Sequence, residues 1–293
     1  MMDDRLKELE KQYKDVPIPH NLDAVVEASL KKGSKKKRAP KWVMGGVAAA
    51  ALFTASLNVS PAMARNLVDI PVLGSIIEVL TFVNYEVDKD TYSANIEVPQ
   101  INGSSSEIAA LNEKYAAEGK ALYEQFKEEM DSMDQAGGGH LGVDSGYVVA
   151  TDTEQILSVG RYVVNTVGSS STVMKYDTID KQKEIVITLP SLFKDDAYVS
   201  LISENVAEQM REQAEASNGE KVYWVSGAGI PDEELFEQFT TIKPDQNFYI
   251  SAEGKLIVVF DKYEVAPGYM GVVEFEIPTE VLKDTLVSSE YIH

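Results

Sequence analysis

A chain of 293 residues with 44% apolar side chains, fourteen Tyr, nine Phe and two Trp can bury more than one average domain core, and its lack of cysteine excludes a disulfide framework or cysteine-based zinc site. The net charge of −20 conceals an asymmetry: residues 1–41 hold eleven Lys/Arg against seven Asp/Glu, which leaves sixteen basic and forty acidic residues for the rest. Such an acidic remainder disfavours nucleic acid and anionic polymers as partners and favours a cationic one, although acidity also simply keeps a surface domain soluble.

Residues 4–15 place Leu6, Leu9 and Tyr13 on one helical stripe, which Val16-Pro17-Ile18-Pro19 ends. Asn21 is an N-cap candidate for a second helix, with Leu22, Val25, Val26 and Leu30 on one face. Two amphipathic helices in so short a segment cannot cover both stripes, so residues 1–41 read as an element that docks on a cytoplasmic protein, or else as a tail with nascent helices.

A basic cluster, Lys31-Lys32, Lys35-Lys36-Lys37-Arg38 and Lys41, leads into eighteen uncharged residues from Trp42 to Val59. As a helix these reach about 27 Å, close to the ~30 Å of a hydrocarbon core. The positive-inside rule then puts the amino terminus in the cytoplasm and everything after residue 64 outside. Ala62 and Ala64 before Arg65 form a small-x-small signal-peptidase site, so the same residues also fit a secretory signal peptide. A third reading combines the two: an anchor, residues 42–59, whose outer end is cut on demand.

Residues 60–90, with Ile70-Pro71-Val72-Leu73-Gly74 and the apolar Ile76, Ile77, Val79, Leu80, Phe82 and Val83, read as a juxtamembrane segment, and 91–293 as the external domain. A strand over 91–101 precedes a long helix with Ser104 and Glu107 as a capping box, its apolar stripe running from Ile108 through Tyr115 and Phe126 to Met133 and its end at Gly137-Gly138-Gly139. Strands with turns at Gly168–Ser171 and Asp180–Gln182 occupy 141–189. A helix over 195–215 follows, then a short acidic helix over 232–239 and a hairpin around Ala252-Glu253-Gly254. The last strand, 273–277, alternates so that one face meets water. The whole predicts an α+β external domain, with helices packed on a mixed or antiparallel sheet, plus one transmembrane helix and the two-helix cytoplasmic segment.

Chemistry-bearing constellations are sparse. His20, His140 and His293 have no spacing suited to metal or a catalytic triad, and the acidic pairs Glu128-Glu129, Asp195-Asp196 and Asp232-Glu233-Glu234 are expected by chance among so many acids. We therefore expect no catalytic residues, no metal and no cofactor. The unusual feature is Ala266-Pro267-Gly268-Tyr269-Met270-Gly271 between two strands: Pro-Gly sets a turn, and Tyr with Met at its tip offers adaptable contact area. The alternative is a turn whose Tyr tucks onto the sheet. The Ser169–Ser171 loop is a weaker contact candidate.

Arg5-Leu6-Lys7-Glu8-Leu9, Ile18-Pro19-His20-Asn21-Leu22-Asp23, the basic cluster and single anchor, Ile70–Gly74, Ser191-Leu192-Phe193-Lys194-Asp195 and Tyr263-Glu264-Val265-Ala266-Pro267-Gly268-Tyr269-Met270-Gly271 together resemble the anti-sigma-V factor family of Gram-positive bacteria, nearly end to end. The resemblance implies that residues 1–41 hold an extracytoplasmic-function sigma factor and that the external domain is a lysozyme receptor. It also implies cleavage by signal peptidase after Ala64, followed by a site-2 intramembrane protease within the anchor. Carried over, the lysozyme contacts are Ser169, Ser170, Pro267, Gly268, Tyr269 and Met270. A surface-anchored lysozyme inhibitor or wall-binding module without sigma-factor control is the alternative.

Overall fold

The structure is a computed structural model that describes residues 79–228, 230–231 and 238–293. The expectations for residues 1–41, for the anchor 42–59, for Ala62, Ala64 and Arg65, and for most of the acidic helix at 232–239 lie outside these residues. Among the described residues no helix is long and apolar enough to cross a membrane.

Among the described residues, nine strands form a six-stranded sheet in the order β1 to β6 and a three-stranded sheet in the order β7 to β9. The first contains β1 (Val79–Lys89), β2 (Tyr92–Ile101), β3 (Leu141–Asp152), β4 (Ile156–Thr166), β5 (Ser170–Asp180) and β6 (Ile185–Ile187). β2 and β3 are parallel and the other pairs antiparallel, because helix α1 (Ser106–Gln135) supplies the long crossover that a parallel pair requires. Val79–Lys89, read from sequence within the segment preceding the domain, is thus an edge strand of the sheet, paired along its length with β2. Leu80 and Phe82 on its outer side remain exposed.

Alternation in the strands sorts the side chains into two cores. Tyr92, Ala94, Ile96 and Val98 of β2, with Leu157 and Val159 of β4 and Ile179 of β5, meet Ile108, Leu111, Tyr115, Phe126 and Met130 of α1. Gly119 permits the close crossing of helix and sheet, since a Cβ there would lie 2.4 Å from Val98 Cγ2. The other face presents Tyr162 and Met174 to Ile257, Val259 and Val272. These belong to or adjoin the second sheet, made of β7 (Phe248–Ile250), β8 (Leu256–Phe260) and β9 (Val273–Ile277). The far side of that sheet buries Val258, Phe260 and Phe275 against Tyr198, Ile202, Val206 and Met210 of α2 (Ala197–Ala216). Helix, sheet, sheet, helix is the resulting layer order, an α+β arrangement of a few helices on mixed and antiparallel sheets.

Two local expectations are corrected. The cap of α1 is Ser105, whose hydroxyl accepts from Ile108 N at 3.2 Å, and not Ser104 with Glu107. Glu184, from the β5–β6 turn, takes Ser104 N at 2.8 Å, Ser104 Oγ at 2.9 Å and Ser105 N at 2.7 Å, while Glu107 accepts from Val186 N. A distant carboxylate thereby satisfies the helix-end donors that the local box would have used. In β9 the expected water-facing side holds at Glu276, which is exposed, and not at Glu274, whose carboxylate accepts from Tyr176 Oη at 3.3 Å and Tyr249 Oη at 3.1 Å between the sheets.

Candidate ligand-binding surface

The surface is built on an unfinished strand edge. β6 is short and pairs only with Thr178–Asp180, so the outer edge of β5 from Thr172 to Tyr176 needs other partners. The second sheet and its loops supply them. Asp261 Oδ1 accepts from Met174 N at 2.7 Å, Asn247 accepts from Tyr176 N at 2.8 Å and donates to Met174 O at 2.7 Å, and Lys262 N donates to Thr172 O at 3.3 Å. Burial, aided by nearby Glu264, pushes the Asp261 carboxyl up from its usual value, against the pull of the Met174 N–H.

This edge brings the sequence-predicted loops together. Lys262 Nζ donates to Ser170 Oγ at 3.0 Å and sits 5.2 Å from the centroid of the Tyr263 ring. Tyr263 adopts φ 72°, a left-handed conformation uncommon for an aromatic residue, and its ring lies over Gly268. A Cβ on Gly268 would come within 2.2 Å of that ring, so only glycine leaves the space. Gly268–Met270 forms one short helical turn, with Met270 N donating to Pro267 O at 2.9 Å.

Tyr269 is 65% exposed, and its hydroxyl donates to Glu220 O at 3.2 Å, so it does not tuck onto the sheet. Pro267 and Gly268 are half-buried, and Met270, expected beside Tyr269 at the tip, packs half-buried against the α2 core. Ser169 is exposed and Ser170 half-buried. Sequence reasoning missed Lys262, Tyr263, which is 46% exposed, and the exposed Val167 in the β4–β5 turn. The left-handed Tyr and the Lys beside it carry no sequence signature; a Tyr four residues before a Pro-Gly turn was the only hint. Two tyrosines held by a turn and a lysine give large contact area at low entropic cost.

His140 and Glu128 are exposed, as are the adjacent Asp195 and Asp196 ahead of α2, and among the described residues no cluster of three or more His, Cys, Asp or Glu is placed to hold a metal.

A family profile described as "Protein of unknown function (DUF3298)" matches residues 190–280, which span α2, the second sheet and the Tyr269 turn. A DUF3298 family protein from Pseudomonas aeruginosa PAO1 is 12% identical and aligns over 75% of this chain and 98% of its own, with a TM-score of 0.52. A DUF3298 family member from Bacteroides fragilis NCTC 9343 is 17% identical over 73% of this chain and 95% of its own, with a TM-score of 0.46. The Pseudomonas likeness shows that the fold is of the DUF3298 type. Anti-sigma-V factor RsiV of Bacillus subtilis strain 168 is 44% identical over 294 residues, covering 99% of this chain and 100% of that one. At that identity and coverage, the chain belongs to the RsiV family of anti-sigma-V factors.

Proposed function

We propose that the chain is a membrane anti-sigma factor, regulatory rather than enzymatic, that holds an extracytoplasmic-function sigma factor at the cytoplasmic face and releases it when lysozyme binds outside. The carrying observation is the end-to-end 44% identity to the Bacillus subtilis anti-sigma-V factor, which extends through the amino-terminal segment as well as the folded domain. In this reading Leu6, Leu9, Tyr13, Leu22, Val25, Val26 and Leu30 contact the sigma factor and residues 42–59 form the anchor. The external domain takes lysozyme on the surface of Ser169, Ser170, Tyr263 and Pro267–Met270. The paired exposed tyrosines and the acidity of the domain support a basic protein ligand, whose approach long-range attraction would accelerate. Ligand binding exposes the bond after Ala64 to signal peptidase, and a site-2 protease then cuts within the anchor and frees the sigma factor.

The test uses the full chain in membranes. Lysozyme should produce cleavage after Ala64, and Tyr269→Ala should need about ten- to a hundredfold more lysozyme for the same cleavage, as for an aromatic interface anchor. Cleavage at the same rate without lysozyme contradicts gating. Capture of a sigma factor by residues 1–41 separates this function from that of a surface lysozyme inhibitor, which recovers none.

A further inference from the structure

The sequence holds two Asn-Gly pairs, Asn102-Gly103 and Asn218-Gly219, and the fold treats them differently. Asn is thermolabile before glycine because the next backbone nitrogen can attack its side-chain amide carbon, and glycine has no Cβ to hinder the approach. In a folded chain the reaction is set by how freely the pair leaves its native conformation.

Asn102-Gly103 is pinned on both sides. Ile101 N donates to Asn112 Oδ1 and Ile101 O accepts from Asn112 Nδ2, each at 2.8 Å, and Ser104 N donates to Glu184 at 2.8 Å. Gly103 itself packs on Ile108, where a Cβ would stand 3.0 Å from Cγ2. Asn218-Gly219 instead forms an exposed turn just past the end of α2. Both residues are left-handed, with φ 52° and 89°, and Glu220 N donates to Ser217 O at 3.2 Å, the pattern of a type I′ turn. Gly219 N has no hydrogen-bond partner among the described residues, and nothing lies within 4 Å of the place a Cβ on it would take. The nucleophile is therefore free and the turn open to water.

The same turn is tied to the Tyr269 surface. Glu220, next to Gly219, accepts from Tyr269 Oη on its carbonyl at 3.2 Å, and the Ser217 hydroxyl, which donates to Ala214 O at 2.9 Å, accepts from Lys221 N at 2.9 Å. We propose that Asn218 is a self-modification site whose conversion to isoaspartate untethers Tyr269. Gly219 N forms a bond to Asn218 Cγ, the Cγ–Nδ2 bond breaks, and the amide proton of Gly219 leaves with Nδ2 as ammonia. Water then opens the five-membered imide. Attack at the former backbone carbonyl leaves the chain running through the side chain, one methylene longer and with a new free carboxylate; no electrons are exchanged and no further reactant is needed. The added methylene breaks the geometry of the Ser217–Glu220 turn bond, so the Glu220 carbonyl moves off the Tyr269 hydroxyl. The site stands whichever ligand the surface takes.

The experiment ages the full-length protein in mildly alkaline buffer and in weak acid, and maps its peptides by mass spectrometry with isoaspartate separated from aspartate. Conversion should be at least about tenfold faster at Asn218 than at Asn102 while the chain is folded, approach the same rate at both in urea, and slow in acid, where Gly219 N keeps its proton. In ring-labelled protein the Tyr269 signals should shift as conversion proceeds. They should stay in place in aged Asn218→Gly, which suits the left-handed φ and has no amide, and move far less in freshly prepared Asn218→Asp, which adds the charge without the methylene. No isoaspartate at position 218, equal rates at the two pairs in the folded chain, a Tyr269 shift in aged Asn218→Gly, or one as large in fresh Asn218→Asp would each overturn the assignment.

Discussion

The carboxyl-terminal strap offers the sharpest test of how the layers are held. Asp180, 0% exposed at the end of β5, takes Gln182 N at 2.8 Å and Lys183 N at 2.9 Å on one oxygen, and Tyr291 Oη at 2.7 Å on the other, 3.4 Å from Lys183 Nζ. Burial alone would raise its pKa. The N–H of Lys183, the Tyr291 hydroxyl, the Gln182 N–H and the Lys183 charge outweigh that and hold it below its ordinary value of 3.8. Tyr291→Phe removes one donor from a buried charge, a loss of about 1.5–3 kcal/mol for a hydrogen bond to a charged group. Because Lys183 stays within reach, about 2 kcal/mol is expected, which at ~2–4 °C per kcal/mol lowers the unfolding midpoint by roughly 4–8 °C. A lowered folded-state pKa stabilises above the unfolded value and is lost as pH falls through the folded one, so the deficit should be complete near pH 7 and shrink below about pH 4. Thermal unfolding of the full chain by near-ultraviolet circular dichroism, wild type against variant at both pH values, reads this directly. An unchanged midpoint at neutral pH, or a deficit of the same size in acid, refutes the reasoning.

Glu274 carries the opposite sign. Burial raises its pKa, against the pull of the Tyr249 and Tyr176 hydroxyls, so its contribution is present below the ordinary carboxyl value and is lost as pH rises through the folded one. Glu274→Gln should therefore gain on the wild type in unfolding midpoint between acid and neutral pH, and parallel pH profiles would contradict this. Gly119→Leu should destabilise by about 1–3 kcal/mol in urea unfolding, because overpacking against Val98 exceeds the helix propensity gained; an unchanged midpoint would disprove the close crossing. Gly268→Ala needs no unusual φ, but its Cβ would force the half-exposed Tyr263 ring, at 2.2 Å, to swing aside; that costs little folding free energy, so stability should stay within about 0.5 kcal/mol. Titration calorimetry should nevertheless show lysozyme affinity falling about tenfold; an unchanged affinity would separate Tyr263 from the binding surface.

Much of the domain was legible because burial leaves a local period. The stripe Ile108, Leu111, Tyr115, Phe126 and Met130 announced α1, and Tyr198, Ile202, Val206 and Met210 announced α2. What was not legible depends on partners far along the chain. Ser104 and Glu107 have the spacing of a capping box, yet Glu184 reaches the helix end first, so the cap moved to Ser105. Alternation in β9 correctly separated two faces, but no local pattern states that tyrosines from β5 and β7 would close over Glu274. Likewise Val79–Lys89 has alternating apolar residues, and the apolar run before it hid the point at which the sheet begins. In the candidate surface, the sequence marked Tyr269 through its Pro-Gly turn and missed Tyr263, whose position depends on Lys262 joining the edge of β5.

That edge explains why the two loops belong to one surface. The β4–β5 turn comes from the six-stranded sheet and the Tyr263–Met270 stretch from the segment between β8 and β9, and they meet only because Asn247, Asp261 and Lys262 complete the backbone hydrogen bonds that β6 leaves open. Neither loop carries the surface alone: the turn offers Val167 and serines, the other segment tyrosines on a backbone that needs Gly268 free of a Cβ. A ligand touching both reads the docking of one sheet on the other, so its binding free energy is coupled to the packing between them. The DUF3298 match ends on one side of that junction, within 190–280, while Ser169 and Ser170 lie on the other. Proteins that share the profile but differ in the partner sheet can therefore keep the Tyr269 turn and still present a different surface.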